Sequence, residues 1–219
     1  MLAPDLLGRV AALDTAALCD ANKGIRVMDP GLGPVTSFRQ MVGRARTVRC
    51  RDDFLTVIQA LSDSRPGEVL VVDGGGGTRA LAGELFATEA ARRKLAGIVI
   101  DGACRDTPKL ATLQLPFYAR WVCPAAGTAE RLGTTQQAVV CGGVTVAPGD
   151  VVIGDRDGIV VVTEAELLAL LPRAEEVQRA EAAVLERLER GEGLLGMLNF
   201  AEHCDALKQG RPSRLRIRP

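Results

Sequence analysis

The sequence has a single histidine, His203, in 219 residues. Mechanisms that need a histidine cluster, His-rich zinc sites among them, are excluded, and a Ser-His-Asp triad has only this residue to rest on. Six cysteines stand at positions 19, 50, 104, 123, 141 and 204, and no two form Cys-x-x-Cys. A zinc ribbon or a thioredoxin-type motif is therefore not indicated. Net charge is lacking too. The 27 basic residues cancel 27 acidic ones, so no overall field draws the chain to nucleic acid or to an anionic membrane. No apolar run approaches about 18 residues, which excludes a spanning helix. Met1-Leu2-Ala3-Pro4-Asp5 shows no basic segment followed by an apolar one. The expectation is no secretory signal, a cytoplasmic location and reduced thiols in place of a disulfide framework.

What is present is ordinary for a globular chain: 47% hydrophobic and 25% charged residues. The length predicts one domain, two at most, with a core that needs no staples. Residues 1–24 read as helical, with Asp14 or Thr15 as a cap and Asn22-Lys23-Gly24 as the stop. Asp29-Pro30-Gly31 and Gly33-Pro34 mark residues 29–40 as loop. Met41 to Cys50 reads as a strand, and Asp53 to Ser62 as a short helix stopped by Arg65-Pro66-Gly67. Val69 to Val72 is a continuous apolar run, the pattern of a buried parallel strand. Asp73 and Gly74 to Gly77 follow it. Thr78 to Leu95 then reads as a helix, and Ile98 to Ile100 as a second buried strand closed by Asp101-Gly102. That is one β-loop-α-β unit. Leu110 to Leu113 reads as a short helix and Phe117 to Val122 as a strand.

From residue 139 the pattern changes. Val139-Val140, Val144 to Val146, Val151 to Ile153 and Ile159 to Val162 are short strands separated by Gly- and Pro-rich turns, a compact β-meander. Thr163-Glu164-Ala165-Glu166 is a capping box. It opens helical sequence to about Arg190, interrupted at Pro172. Residues 1–192 are read as the domain and 193–219 as a C-terminal tail with late arginines, Arg211 to Arg218. Parallel βαβ and antiparallel hairpins together predict a single α/β domain or a β/β/α layering.

Gly75-Gly76-Gly77-Thr78-Arg79-Ala80 fits Gly-x-Gly-x-x-Ala after a strand, with Asp101 about 20 residues further on. Two features argue against a dinucleotide site. Glu84 falls in the first turns of the following helix, where its carboxylate opposes an anion. Such fingerprints also usually open their domain, whereas about 70 residues precede this one. A plain glycine turn, or a helix start that takes a smaller anion such as a carboxylate, is the alternative.

Glu84, Arg105 and Asp106 form the constellation that carries chemistry. In a parallel α/β unit, both segments lie at the carboxyl ends of strands, where ligands bind. Two carboxylates suit a hard divalent cation, and a guanidinium between them grips a carboxylate or oxyanion bidentately. The bland alternative is a surface Arg–Asp pair beside a solvated Glu. Twenty residues separate Glu84 from Arg105-Asp106. An acidic residue or Gly, twenty residues, then Arg-Asp resembles the motif of the class II 4-hydroxy-4-methyl-2-oxoglutarate aldolase family, which includes the regulator of ribonuclease E activity A. The likeness extends through Val71-Val72-Asp73-Gly74, Leu81-Ala82-Gly83-Glu84-Leu85, Gly97 to Asp106, Leu115 to Arg120 and Gly143 to Val160, about residues 14 to 192.

This resemblance implies a β/β/α swivelling-domain sandwich (phosphohistidine-domain-like) with mixed sheets and a C-terminal helix. It also implies a homo-oligomer, trimer or hexamer, with sites between subunits. Members that are enzymes cleave 4-hydroxy-2-oxo dicarboxylates by retro-aldol chemistry and often decarboxylate oxaloacetate, both through a pyruvate enolate. Carried onto this chain, Asp106 matches the direct ligand of Mg²⁺ or Mn²⁺, and Glu84 the acid that holds the metal through water. Arg105 matches the arginine on the 2-oxo acid. The N–H groups of Gly83, Glu84, Leu85 and Phe86 match the loop that receives the substrate carboxylate. A third acid is expected from a neighbouring subunit's C-terminal helix. Glu181 is the candidate, because it interrupts the apolar stripe Val177, Val184, Leu188. A Schiff-base route has only four lysines to draw on, with Lys109 near the loop.

The chain departs from the family pattern at Lys109, where an acidic residue is usual, and at Trp121, where a small one is. His203 reads as a surface or interface residue and Cys104 as a loop-packing thiol. Asp101 reads as a brace at its strand end. Arg44, Arg46 and Arg49 read as strand-edge charges or an anion patch facing the ring of the oligomer.

Overall fold

The computed structural model describes residues 1–37 and 40–217. These divide into two compact units, Met1–Ala174 and Glu175–Pro219. Residues 38 and 39 of the 29–40 loop, and Arg218 of the basic tail, lie outside the described residues. The first unit begins with α1 (Pro4–Ala11), α2 (Thr15–Ala21), β1 (Arg26–Val27), β2 (Gly33–Pro34), β3 (Met41–Arg49) and α3 (Leu55–Asp63). β4 (Glu68–Asp73), β5 (Ala80–Ala82), α4 (Glu84–Arg92), β6 (Gly97–Cys104), α5 (Thr107–Leu110) and β7 (Phe117–Val122) follow. Then come β8 (Thr134–Thr135), β9 (Val139–Cys141), β10 (Val144–Val146), β11 (Val151–Gly154), β12 (Ile159–Val162) and α6 (Glu164–Glu189). Past α6, the second unit adds α7 (Leu194–Met197) and α8 (Phe200–Lys208), so the stretch read as a tail carries two short helices.

Ten strands make one mixed sheet whose main path runs β1-β12-β11-β3-β4-β6-β7-β2, with β5 added to β6 and β8 to β3. β3, β4, β6 and β7 are mutually parallel, and β11 and β12 are antiparallel. The continuous apolar runs have a direct cause: β4 and β6 are central, and both of their faces are covered. Leu70, Val72, Ile98 and Ile100 share one cluster with Val57, Ala60, Ala87 and Ala90 of α3 and α4. Val69, Val71 and Val99 point the other way, onto Val139, Cys141 and Val146. Each of these buried Val, Leu and Ile side chains contributes about 1.5–3 kcal/mol. A third cluster packs Leu6, Val10 and Leu18 with Leu167, Leu170 and Leu171 against β11 and β12.

Several sequence expectations hold in atomic detail. Asp14 Oδ1 accepts from the Ala17 N–H at 2.6 Å. The capping box closes reciprocally, Thr163 N–H to Glu166 at 2.6 Å and Glu166 N–H to Thr163 Oγ1 at 3.1 Å. All six cysteines are free. Among the described residues no helix is long and apolar enough to cross a membrane.

Other expectations are corrected. Ala80–Ala82 is not helix but β5, because pairing with the end of β6 overrides the helix propensity of Ala and Leu. β6 does not close at Asp101-Gly102 but runs on to Cys104. β9 and β10 leave the meander for a two-stranded sheet of their own. α6 continues through Pro172, whose one lost hydrogen bond is borne by a helix anchored on buried Leu167, Leu170, Leu171 and Ala174. The three arginines are not edge charges, since β3 lies between β11 and β4. Arg44 pairs with Glu164, buried Arg46 with Glu68 at 2.6 Å, and Arg49 with Asp73 at 3.5 Å.

Candidate active site

The site follows from one parallel pairing. β5 lies along the end of β6 with Ala82 opposite Cys104. Both strands therefore end side by side, and the next residues, Gly83-Glu84 and Arg105-Asp106, leave at the same rim. The Arg105 N–H donates to the Ala82 carbonyl at 3.1 Å. Asp106 sits in the left-handed region, φ 61° and ψ 33°, a conformation Asp tolerates better than most L-residues but still at a cost. This turn sends its carboxylate back to α4. Oδ2 accepts the Glu84 N–H at 3.2 Å and lies 3.6 Å from Arg105 Nε.

Asp106 thus caps α4 from a distant loop. The first N–H groups of a helix lack intrahelical acceptors, and Gly83, the N-cap residue, has no side chain to supply one. Glu84 N–H goes to Asp106, and Ala87 N–H makes the first helical bond to the Gly83 carbonyl. The N–H groups of Leu85 and Phe86 have no acceptor among the described residues. They carry the positive end of the helix dipole, a ready seat for an anion. Gly83 is required by space: a Cβ there would meet Asp106 Oδ2 at 2.3 Å and Arg105 Cγ at 3.0 Å. Gly83→Ala should displace Asp106 by about 1 Å. A misplacement of that size costs on the order of 10²-fold in rate. Steady-state kinetics beside a melting curve check this. An active Gly83→Ala variant would show that the Asp106 position is unimportant.

A cavity of about 190 Å³ opens beside the pair. Arg105 and Asp106, 42% and 39% exposed, are its charged lining, and Phe54, Leu81, Leu85, Phe86 and Ala126 form much of the rest. Glu84 reaches the site through its backbone. Its half-buried side chain is not part of the cavity lining. Glu181 is exposed on α6, in the second unit.

The Phe54 part of the lining depends on a residue that the sequence reading passed over. Asp53, 2% exposed, accepts from the N–H groups of Leu55, Glu130 and Arg131 and from Thr128 Oγ1 at 2.6–3.1 Å. Burial alone would raise its carboxyl, but these four hydrogen bonds outweigh it and hold it at about 2. Phe54 follows directly, and its N–H donates to the Thr128 carbonyl at 2.8 Å. The visible signal was an Asp just before the apolar start of α3. Its partners, some 75 residues away, carry no local mark.

Asp101 is the brace expected of it, accepting from Arg120 Nε and from the Gly142 N–H at 2.7 Å. Burial, with the Asp106 charge adding, pushes the Cys104 thiol up to about 11, as suits a packing thiol. Lys109 is exposed on α5, and its N–H donates to the Asp106 carbonyl at 2.9 Å. Trp121 is half-buried opposite Ala103. His203 lies 3.0 Å from Ser213 Oγ within the second unit. The glycine turn opens no helix. It leads into β5, and Asp52 occupies its inner side, where a Cβ on Gly77 would meet Asp52 Oδ1 at 2.6 Å. The dinucleotide fingerprint is therefore a plain turn.

Fold and site together define an α/β protein whose pocket opens where parallel strands end. The family model described as "RraA-like: Aldolase/RraA" matches residues 15–161, and the chain belongs to this family. It is 33% identical over 181 residues to a protein of Halalkalibacterium halodurans named "Putative 4-hydroxy-4-methyl-2-oxoglutarate aldolase", spanning 82% of this chain and 86% of that one. The solved RNA-processing inhibitor RraA from Thermus thermophilis is similar with a TM-score of 0.65 and 31% identity, over 69% of this chain and 93% of that one. Streptomyces coelicolor RraAS2, an unusual member of the RNase ES inhibitor RraA protein family, gives a TM-score of 0.76 at 26% identity, over 85% of this chain and all of that one (100%).

Proposed function

We propose that this chain is a divalent-metal-dependent lyase that cleaves a 4-hydroxy-2-oxo (di)carboxylate to pyruvate by retro-aldol chemistry, with oxaloacetate decarboxylation as a side activity. The observation that carries the reading is the Arg105–Asp106 pair seated against the open N-terminus of α4 at the mouth of an otherwise apolar cavity. The donor set fits Mg²⁺ or Mn²⁺. Asp106 Oδ1 has no partner among the described residues, and Glu84, whose N–H Asp106 caps, would add a second carboxylate through water, its side chain lying outside the cavity lining. Among those residues no three His, Cys, Asp or Glu side chains gather at one point, so Asp106 and Glu84 would have to hold the cation together with waters. Glu181 from a neighbouring subunit would supply a further acid in a cytoplasmic trimer or hexamer with the swivelling β/β/α layering.

When bound, such an ion supplies Lewis acidity at the 2-keto oxygen. The protein residues do the rest. The N–H groups of Leu85 and Phe86 seat the substrate carboxylate. Arg105 faces the keto oxygen and stabilises the charge that develops there. A water held by Arg105 takes the proton from the C4 hydroxyl. C4 then becomes a carbonyl, the C3–C4 bonding pair moves into the enolate, and protonation at C3 gives pyruvate.

A coupled assay for pyruvate from oxaloacetate and from a 4-hydroxy-2-oxo diacid, with and without Mg²⁺, tests this. Release that needs the metal supports it. No turnover by folded, metal-loaded protein overturns it. That result would favour the second reading, a non-catalytic regulator that binds a protein partner such as ribonuclease E, which the likeness to an RNA-processing inhibitor supports.

A further inference from the structure

We infer that the second unit is a self-association arm, whose α7–α8 face docks about a two-fold axis on the same face of a second copy of this chain. The arm starts at Glu175, beyond the family match that ends at residue 161, and does not depend on the lyase reading. Six large apolar side chains mark it. Leu194, Leu195, Phe200, Leu207, Leu215 and Ile217 are each 43–70% exposed, and among the described residues of 175–219 only Met197 and Ala206 are buried. Two buried side chains do not hold a unit of this size together. Folds this small call on disulfides, a metal or oligomerisation. The one cysteine of the unit, Cys204, is free, and no three metal-ligating side chains gather among the described residues.

The face is ordered before any contact. Asn199 holds the terminal segment by three hydrogen bonds. Its N–H donates to the Arg216 carbonyl at 3.2 Å, its Oδ1 accepts the Arg216 N–H at 2.8 Å, and its Nδ2 donates to the Arg214 carbonyl at 3.1 Å. Leu198 pairs antiparallel with Ile217, and His203 Nδ1 lies 3.0 Å from Ser213 Oγ. These contacts fix Leu215 and Ile217 close to α8 with their side chains in water. On α8, Phe200, Cys204 and Leu207 recur at i, i+4 and i+7 and so share one face. A surface ordered in advance loses less freedom on association.

Area and charge select the occupant. At about 150 Å² for each large apolar side chain, the low end for an aromatic, the exposed fractions amount to on the order of 450 Å². A standard interface takes about 800 Å² from each partner, a little over half of it apolar, so one such face supplies its share. Residues 175–192 carry six acids and three bases, and residues 208–218 five bases and no acid. A two-fold contact is self-complementary and reverses the unit. The basic end of each chain then meets the acidic stretch of the other, and like ends stay apart. An anionic membrane would attract the basic end but repel the acidic stretch, and with it Glu202 and Asp205 of α8 itself.

The test is the mass of the full chain by light scattering at micromolar concentration, beside that of the double variant Leu195→Glu, Leu207→Glu. The wild type should contain an even number of chains, and the double variant half that number with the same far-UV circular dichroism. Cys204 lies between Phe200 and Leu207, so its two copies face each other across the contact. A short bis-maleimide should therefore link wild-type chains in pairs, and Cys204→Ser should abolish the link. If the double variant fails to fold, this cross-link decides. An odd number of chains, a folded double variant of unchanged mass, or a link that is absent or survives in Cys204→Ser overturns the inference. Co-sedimentation with phosphatidylserine vesicles that the double variant loses without a change in mass overturns it too, and makes the face a membrane contact.

Discussion

Asp106→Asn should cut pyruvate release by about 10³-fold and leave the melting temperature nearly unchanged. The asymmetry comes from the two tasks of this side chain. As a cap it needs one oxygen for the Glu84 N–H, 3.2 Å away, and the Asn amide oxygen can serve. Asn also tolerates the left-handed backbone that position 106 adopts. In its proposed role as a metal ligand it is not replaced, because a neutral amide gives up the anionic oxygen a hard cation prefers. Several kcal/mol of transition-state stabilisation depend on such a group, and each 1.36 kcal/mol is about tenfold. Raising Mg²⁺ should partly restore the rate, since the lesion is in metal affinity. Asp106→Ala loses the cap as well, about 1 kcal/mol, and puts a β-carbon without a hydrogen-bonding side chain at φ 61°. It should therefore lose both rate and stability. Arg105→Ala should lose about 10²–10³-fold in kcat with little change in melting. Arg105→Lys should recover only part, because the ammonium keeps the charge and forfeits the planar fork. If Asp106→Asn were fully active, the metal role assigned to Asp106 would be wrong.

How far the sequence leads is clearest at this rim. The apolar runs of β4 and β6 were legible because a strand covered on both faces has no polar face to show. Arg105-Asp106 was legible as a charged pair directly after such a strand. β5 was not, because Ala80-Leu81-Ala82 has the local preferences of a helix and becomes a strand only by pairing with Ala103 and Cys104. That error moved the start of α4 by several residues. It hid the fact that Gly83 is the N-cap residue and that Asp106 does the capping from outside. The cavity was illegible for a related reason. Phe54, Phe86 and Ala126 come from three separated segments, and nothing in a local pattern of carbon side chains shows which will share a wall. The separate sheet of β9 and β10 was likewise invisible in short valine-rich strands that fit either partner.

Asp53→Ala should be the most destabilising of the single changes considered for this site. The carboxylate is buried and holds three N–H groups and one hydroxyl that belong to two segments, the start of α3 and residues 128–131. Removing it strands these donors. Some regain water, because Glu130 and Arg131 are exposed, so the loss should be about 2–4 kcal/mol. For a chain of this length that is roughly 5–15 °C in melting temperature. Asp53→Asn should lie between, since it keeps one acceptor and turns an NH₂ toward groups that also donate. The pH dependence separates this from simple loss of packing. The carboxyl is held at about 2 in the folded protein against an ordinary 3.8. The folded state therefore binds this proton less readily than the unfolded chain. The extra stability is fully present above about pH 4, and is lost as the pH falls through about 2. The difference in unfolding free energy between wild type and Asp53→Asn, from urea titrations at pH 7, 4 and 3, should be constant at the higher values and shrink at the lowest. A difference independent of pH would mean that Asp53 matters by shape alone.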